Sequence, residues 1–143
     1  MKIVTYKSFG SINFGMSENE VIKQLGNPSY TRTNNERELE YHYDDVIVTY
    51  DAASRFVREV TLLPKASGEF QINDMVLDWH DDFFKTLCQV DGAPYEFFGF
   101  IVLFNLGITL TGFHDGDESQ KSLSAFSLGD WDMFKGKLNS YKL

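Results

Sequence analysis

The chain has one cysteine, three prolines and only 13 Lys and Arg against 21 Asp and Glu in 143 residues. A lone Cys88 excludes an internal disulfide, so the fold has to rest on a core of its own. That cysteine lies in the run Phe83-Phe84-Lys85-Thr86-Leu87-Cys88, an ordinary place for a buried thiol and a weak sign of a reducing compartment. The formal net charge of −8 repels phosphate backbones, which speaks against direct binding of nucleic acid and favours basic protein partners. The longest apolar stretch, Phe97 to Phe104, falls far short of the roughly 20 residues that span a bilayer as a helix. Met1 to Lys7 has neither an apolar h-region nor a small-residue cleavage site, so a cytoplasmic protein with no membrane partner is expected.

What is present is apolar and aromatic. Hydrophobic residues make up 43% of the chain, with 13 Phe, 7 Tyr and 2 Trp, enough to offset the chain entropy of folding. The length suits a single domain over 1–143. Ser17 and Glu20 have the spacing of a capping box, Met16 and Val21 that of a hydrophobic staple, and Gly26 with Pro28 ends the helix so begun. A loop rich in Asn and Arg follows. Glu38 to Tyr43 then alternates as a half-buried strand does, Asp44-Asp45 offers a turn, and Val46 to Tyr50 and Arg55 to Leu63 complete a three-stranded meander that stops at Pro64.

The same order recurs. After a linker over Lys65 to Glu69, a helix capped near Asp78 runs through Trp79, Phe83, Phe84 and Leu87 and ends at Gly92-Ala93-Pro94. Three strand-like runs follow, about Phe98 to Phe104, Gly107 to Phe113 and Lys121 to Leu128, and a short helix from Asp130 to Leu138 carries Trp131, Phe134 and Leu138 on one face. The expected class is α+β: two tandem helix-plus-antiparallel-meander units over 8–64 and 70–128, one sheet with the helices on one face, and a C-terminal helix over 130–138.

A two-residue turn at Asp44-Asp45 sets Tyr43 opposite Val46, Tyr41 opposite Val48 and Leu39 opposite Tyr50 on the core face. The other face then carries Glu38, Glu40, His42, Ile47, Thr49 and Asp51. Glu38, Glu40, His42, Thr49 and Asp51 form the candidate partner-binding surface, with the half around Phe98 to Phe113 as the second candidate. An ordinary strand with a solvated charged face is the alternative for the first.

Signals of catalysis are few. His42, His80 and His114 are scattered, with no metal spacing, and Asp115-Gly116-Asp117-Glu118 lacks the alternating oxygen positions of a calcium loop. Cys88 has Phe, Leu and Asp for neighbours, not the electropositive setting of a nucleophile. There is no glycine-rich phosphate loop and no nucleophile elbow. No enzyme activity, catalytic residue, metal or cofactor is expected.

The segment Phe14-Gly15-Met16-Ser17-Glu18-Asn19-Glu20-Val21-Ile22-Lys23-Gln24-Leu25-Gly26-Asn27-Pro28, with the strands through Asp51, resembles the repeat of the SmpA/OmlA lipoproteins and the β-lactamase inhibitory proteins. The second unit keeps only the outline, and the cysteines of those families have no counterpart here. The resemblance implies a helix packed on an antiparallel sheet, two units in tandem, and a habit of binding proteins. Small acidic chains with this opening also resemble immunity proteins of bacterial toxin systems, whose partner would be a basic toxin domain. The function expected is that of a protein-binding inhibitor, most concretely an immunity protein. A non-inhibitory adaptor or structural module is the alternative, and a small-molecule-binding or enzymatic domain the third.

Overall fold

A computed structural model describes residues 1–63, 68–79, 82–116 and 121–143. His80, Asp117, Glu118, Pro64 and the linker residues 65–67 lie outside the described residues. The chain is a mixed helix and strand protein, built mostly of sheet. Its strands are β1 (Lys2–Val4), β2 (Ser8–Phe9), β3 (Ile12–Asn13), β4 (Tyr30–Thr33), β5 (Leu39–His42), β6 (Val46–Tyr50) and β7 (Val57–Leu62), then β8 (Glu69–Ile72), β9 (Met75–Asp78), β10 (Tyr95–Phe97), β11 (Phe100–Leu103), β12 (Ile108–Thr111), β13 (Ser122–Phe126) and β14 (Asn139–Ser140). Helix α1 spans Glu18–Leu25, α2 spans Phe84–Asp91, and a 3-10 segment spans Asp132–Lys137.

Nine strands form one antiparallel sheet in the order β14-β10-β11-β12-β13-β7-β6-β5-β4. Each α-helix precedes four consecutive strands of this sheet, α1 before β4–β7 and α2 before β10–β13, and β7 pairs with β13 between the two sets. The turn at Asp44-Asp45 holds the expected register: Tyr41 lies opposite Val48, Glu40 opposite Thr49, and the Tyr43 amide donates to Val46 O at 2.9 Å. One face is therefore apolar. Tyr41, Val48, Val60, Leu123, Ile108 and Leu110 from that face are buried in a single cluster with Val21 of α1 and Leu87 of α2. Ile3, Phe9, Phe70 and Ile72 join the same cluster from a second sheet.

That second sheet corrects the expectation of one. Its order is β3-β2-β1-β8-β9, and β1 runs parallel to β8, so the chain is not antiparallel throughout. Asn73-Asp74 is a two-residue hairpin loop between Ile72 and Met75, with Asn73 at φ +52°, a conformation that Asn tolerates well. Asp78 consequently ends a strand and caps no helix. Helix α2 starts at Phe84 without a side-chain cap, whereas at α1 Ser17 accepts from the Glu20 amide at 3.3 Å and Glu20 accepts from the Ser17 amide at 3.2 Å, the expected capping box.

Each meander has four strands, not three. β4 lies inside the segment read as a loop, because an edge strand with all four residues exposed has no apolar alternation to reveal it. In the second set, the run expected as one strand from Phe98 begins with a turn: Phe98-Gly99 joins β10, which lies ahead of that run, to β11. The C-terminal helix is the shorter 3-10 segment.

Candidate functional site

The second face of the large sheet is polar toward β7 and aromatic toward β10 and β11. Register places Glu40, Thr49 and Glu59 side by side across β5, β6 and β7, with Phe126 next to Glu59 on β13. A groove of roughly 1120 Å³ runs over this face. Among the described residues its acids are Glu36, Glu38, Asp51, Glu59 and Asp130, and its one basic residue is Arg58. The rest of its lining mixes Asn34 and three serines with apolar residues, among them Phe56, Phe97, Phe100, Trp131 and Phe134.

Arg58 organises the floor. Its Nε and Nη2 both donate to Glu38, the latter at 2.7 Å to Oε1, and its Nη1 donates to Asp130 Oδ2 at 2.8 Å. Burial alone would raise the Glu38 carboxyl, but the hydrogen bonds and charge of Arg58, with a bond from Asn34, hold it below its ordinary value. Asp130 is raised, because burial outweighs the help of Arg58. Glu59 differs from both. Its carboxylate comes only within 3.5 Å of Arg58 Nη1 and accepts no hydrogen bond among the described residues. Burial, only partly offset by Arg58 and reinforced by the charges of Asp130, Glu38 and Glu40, pushes it up to about 7.

The five residues expected to form the surface do lie together, but not as an open one. Glu38 is 8% exposed, His42 8% and Thr49 4%, so these three are buried rather than presented. Glu38 is engaged by Arg58. His42 stacks on Tyr30 with ring centroids 4.4 Å apart, and its Nε2 is 2.8 Å from Glu40 Oε1. Glu40 also accepts from Asn34 Nδ2 at 3.2 Å. Asp51 accepts from the Ser54 and Ala53 amides at 2.8 and 3.0 Å, bonds that shape the β6–β7 turn and hold its carboxyl below the ordinary range. Of the five, Glu38 and Asp51 line the groove.

Arg58, Glu59 and Asp130 escaped the sequence reading. A signal for the first two was present: Val57 and Val60 are apolar and three apart, so they share a face only if the strand bulges, and Arg58 is the residue skipped where Thr49 pairs with Glu59 and Tyr50 with Val57. Asp130 is brought in by its place ahead of the 3-10 segment, which the sequence does not orient. The aromatic wall also belongs to that segment. Trp131 meets Phe97, Phe100 and Phe126 at 5.9, 5.8 and 6.3 Å, and Phe134 meets Phe97 at 5.0 Å.

Among the described residues no group of three His, Cys, Asp or Glu is placed to hold a metal ion, and no helix is long and apolar enough to cross a membrane. Burial raises the Cys88 thiol to about 11, helped by Asp91, which opposes formation of a thiolate. No family model, no curated protein and no solved structure matches the chain.

Proposed function

We propose that the chain is a protein-binding inhibitor that receives a basic surface of its partner in the groove over the second face of the large sheet. The observation that carries this reading is the lining: among the described residues, five carboxylic acids against one guanidinium, bordered by exposed Phe56, Leu128 and Met133. Acids of this kind steer a cationic partner and favour its register, while the apolar border supplies area to be buried. A mixed acidic and aromatic lining is poorly suited to an anionic ligand. The reading also draws on the resemblance to tandem inhibitory proteins, with α1 ahead of β4–β7 and α2 ahead of β10–β13. Within that reading the most concrete role is immunity: the chain covers a functional surface of a basic bacterial toxin, and acts in the cytoplasm where such a toxin would do harm.

The test is to produce the protein encoded beside this chain, with and without the chain itself. Growth restored by co-production, together with a stoichiometric complex in calorimetry, is the expected result. No rescue and no heat of binding contradict the proposal.

A further inference from the structure

The hairpin joining β10 and β11 carries a residue that its turn does not call for. Phe97 and Phe100 close a two-residue loop in which Phe98 has φ +46° and Gly99 φ +86°. Two positive φ values make this the turn that Asn-Gly or Asp-Gly fits best, and a bulky side chain at its first position is unfavourable. Phe98 is also 88% exposed, so it contributes little to the core in return. Tyr6, Arg37, Arg55 and Asn73 share the sign of φ, but Arg37 is an exposed charged residue in the β4–β5 loop, and side-chain hydrogen bonds engage the other three, to Phe104 O, Glu18 and Thr5 respectively. Phe98 has the edge of Phe97, 4.7 Å away. Neither stability nor solubility accounts for a phenylalanine here.

We infer that Phe98 is an anchor that plugs an apolar socket on a basic partner protein, bound alongside the groove; this rests on the function proposed above. The pedestal is firm: Phe97 is wedged against Trp131 and Phe134, so the loop is held where the ring projects. A rigid aromatic loses little conformational freedom on binding, which is why such residues dominate interfaces. Phe97 and Phe100, the two residues that close the turn, line the acidic groove, so the partner's socket is bordered by cationic groups that meet those acids. A second copy of the chain does not fit this description. It would bring another net charge of −8 and another acidic groove against the first.

The experiment places benzoylphenylalanine at Phe98, at Leu128 on the groove border or at Val76 of β9 in the full chain, and irradiates the cells that make it. Any protein captured is then purified and its affinity measured for the parent chain and for Phe98→Asn. The expected result is the same basic protein captured from positions 98 and 128 but not 76. The Phe98→Asn chain should melt no lower than the parent and bind roughly 30-fold or more weakly, the scale of an interface hot spot. Capture from 128 without 98, or unchanged affinity of Phe98→Asn, overturns the anchor and leaves the groove standing. A cross-linked dimer of the chain overturns the heterologous partner. Capture from neither 98 nor 128 overturns both.

Discussion

Arg58 on β7 and Asp130, ahead of the 3-10 segment, are joined by a hydrogen bond of 2.8 Å between residues 72 apart in sequence. The same guanidinium holds Glu38, just ahead of β5, so one cation links two acids of the groove lining. Replacing Arg58 by Met would leave Glu38, Glu59 and Asp130 together with no counter-charge. A loss of about 3 kcal/mol at neutral pH is expected, the scale for removing one partner of a largely buried ion pair. Urea unfolding at pH 7 and again in acid checks this, since the loss should shrink as the carboxylates take up protons.

Glu59 makes stability depend on pH in the opposite sense from an ordinary paired acid. Its folded value of about 7 lies above the ordinary 4.5, so between these the folded chain holds a proton that the unfolded chain has released. The contribution of Glu59 is fully favourable below about pH 4.5 and is lost as pH rises to about 7. Glu59→Gln should therefore be more stable than the parent at pH 8 by about 1–3 kcal/mol, with the difference vanishing near pH 4. Unfolding curves of the two chains across that range decide it.

The Tyr50 hydroxyl is buried without a hydrogen-bond partner among the described residues, with its ring centroid 4.9 Å from that of Tyr41. Tyr50→Phe removes an unsatisfied polar group and keeps the ring, so it should raise stability by about 1 kcal/mol. A lower urea midpoint for this variant would show that the hydroxyl is satisfied in solution.

Val48 tests the apolar face. It is fully buried opposite Tyr41 and Val60, and a charge there has no partner, so Val48→Asp should cost several kcal/mol and unfold the chain at ordinary temperature. Circular dichroism at 25 °C is sufficient to see it.

The first meander was the more legible half. Its register follows from strict alternation about Asp44-Asp45, and α1 from caps that act within a few residues. Less was legible where long-range pairing decides. β4 has no buried face, and Lys2–Val4 is a strand between two neighbours, Ser8 and Phe9 on one side and the distant Gln71 and Ile72 on the other. Phe97 to Phe104 read as one buried strand because a phenylalanine stands where turn chemistry predicts asparagine. For the site, the shared face of Glu38, Glu40, His42, Thr49 and Asp51 was readable from period two, but the covering of Glu38, His42 and Glu40 by Arg58, Tyr30 and Asn34 from other segments was not. Charge reversal at Glu38 would consequently test stability and not binding alone.

The most direct measurement uses exposed groove positions instead. Glu36 and Leu128 line the groove and are exposed, and Leu128 is engaged in no buried cluster. The double variant Glu36→Lys/Leu128→Lys puts two positive charges where a basic partner has to approach. Titrating it against the protein encoded beside this chain, at low and high salt, should show binding at least about tenfold weaker than for the parent, a melting temperature within a few degrees, and a loss that narrows as salt screens the charges. Affinity unchanged at both salt concentrations, with the parent chain binding and the fold intact, would contradict the groove as the site of recognition.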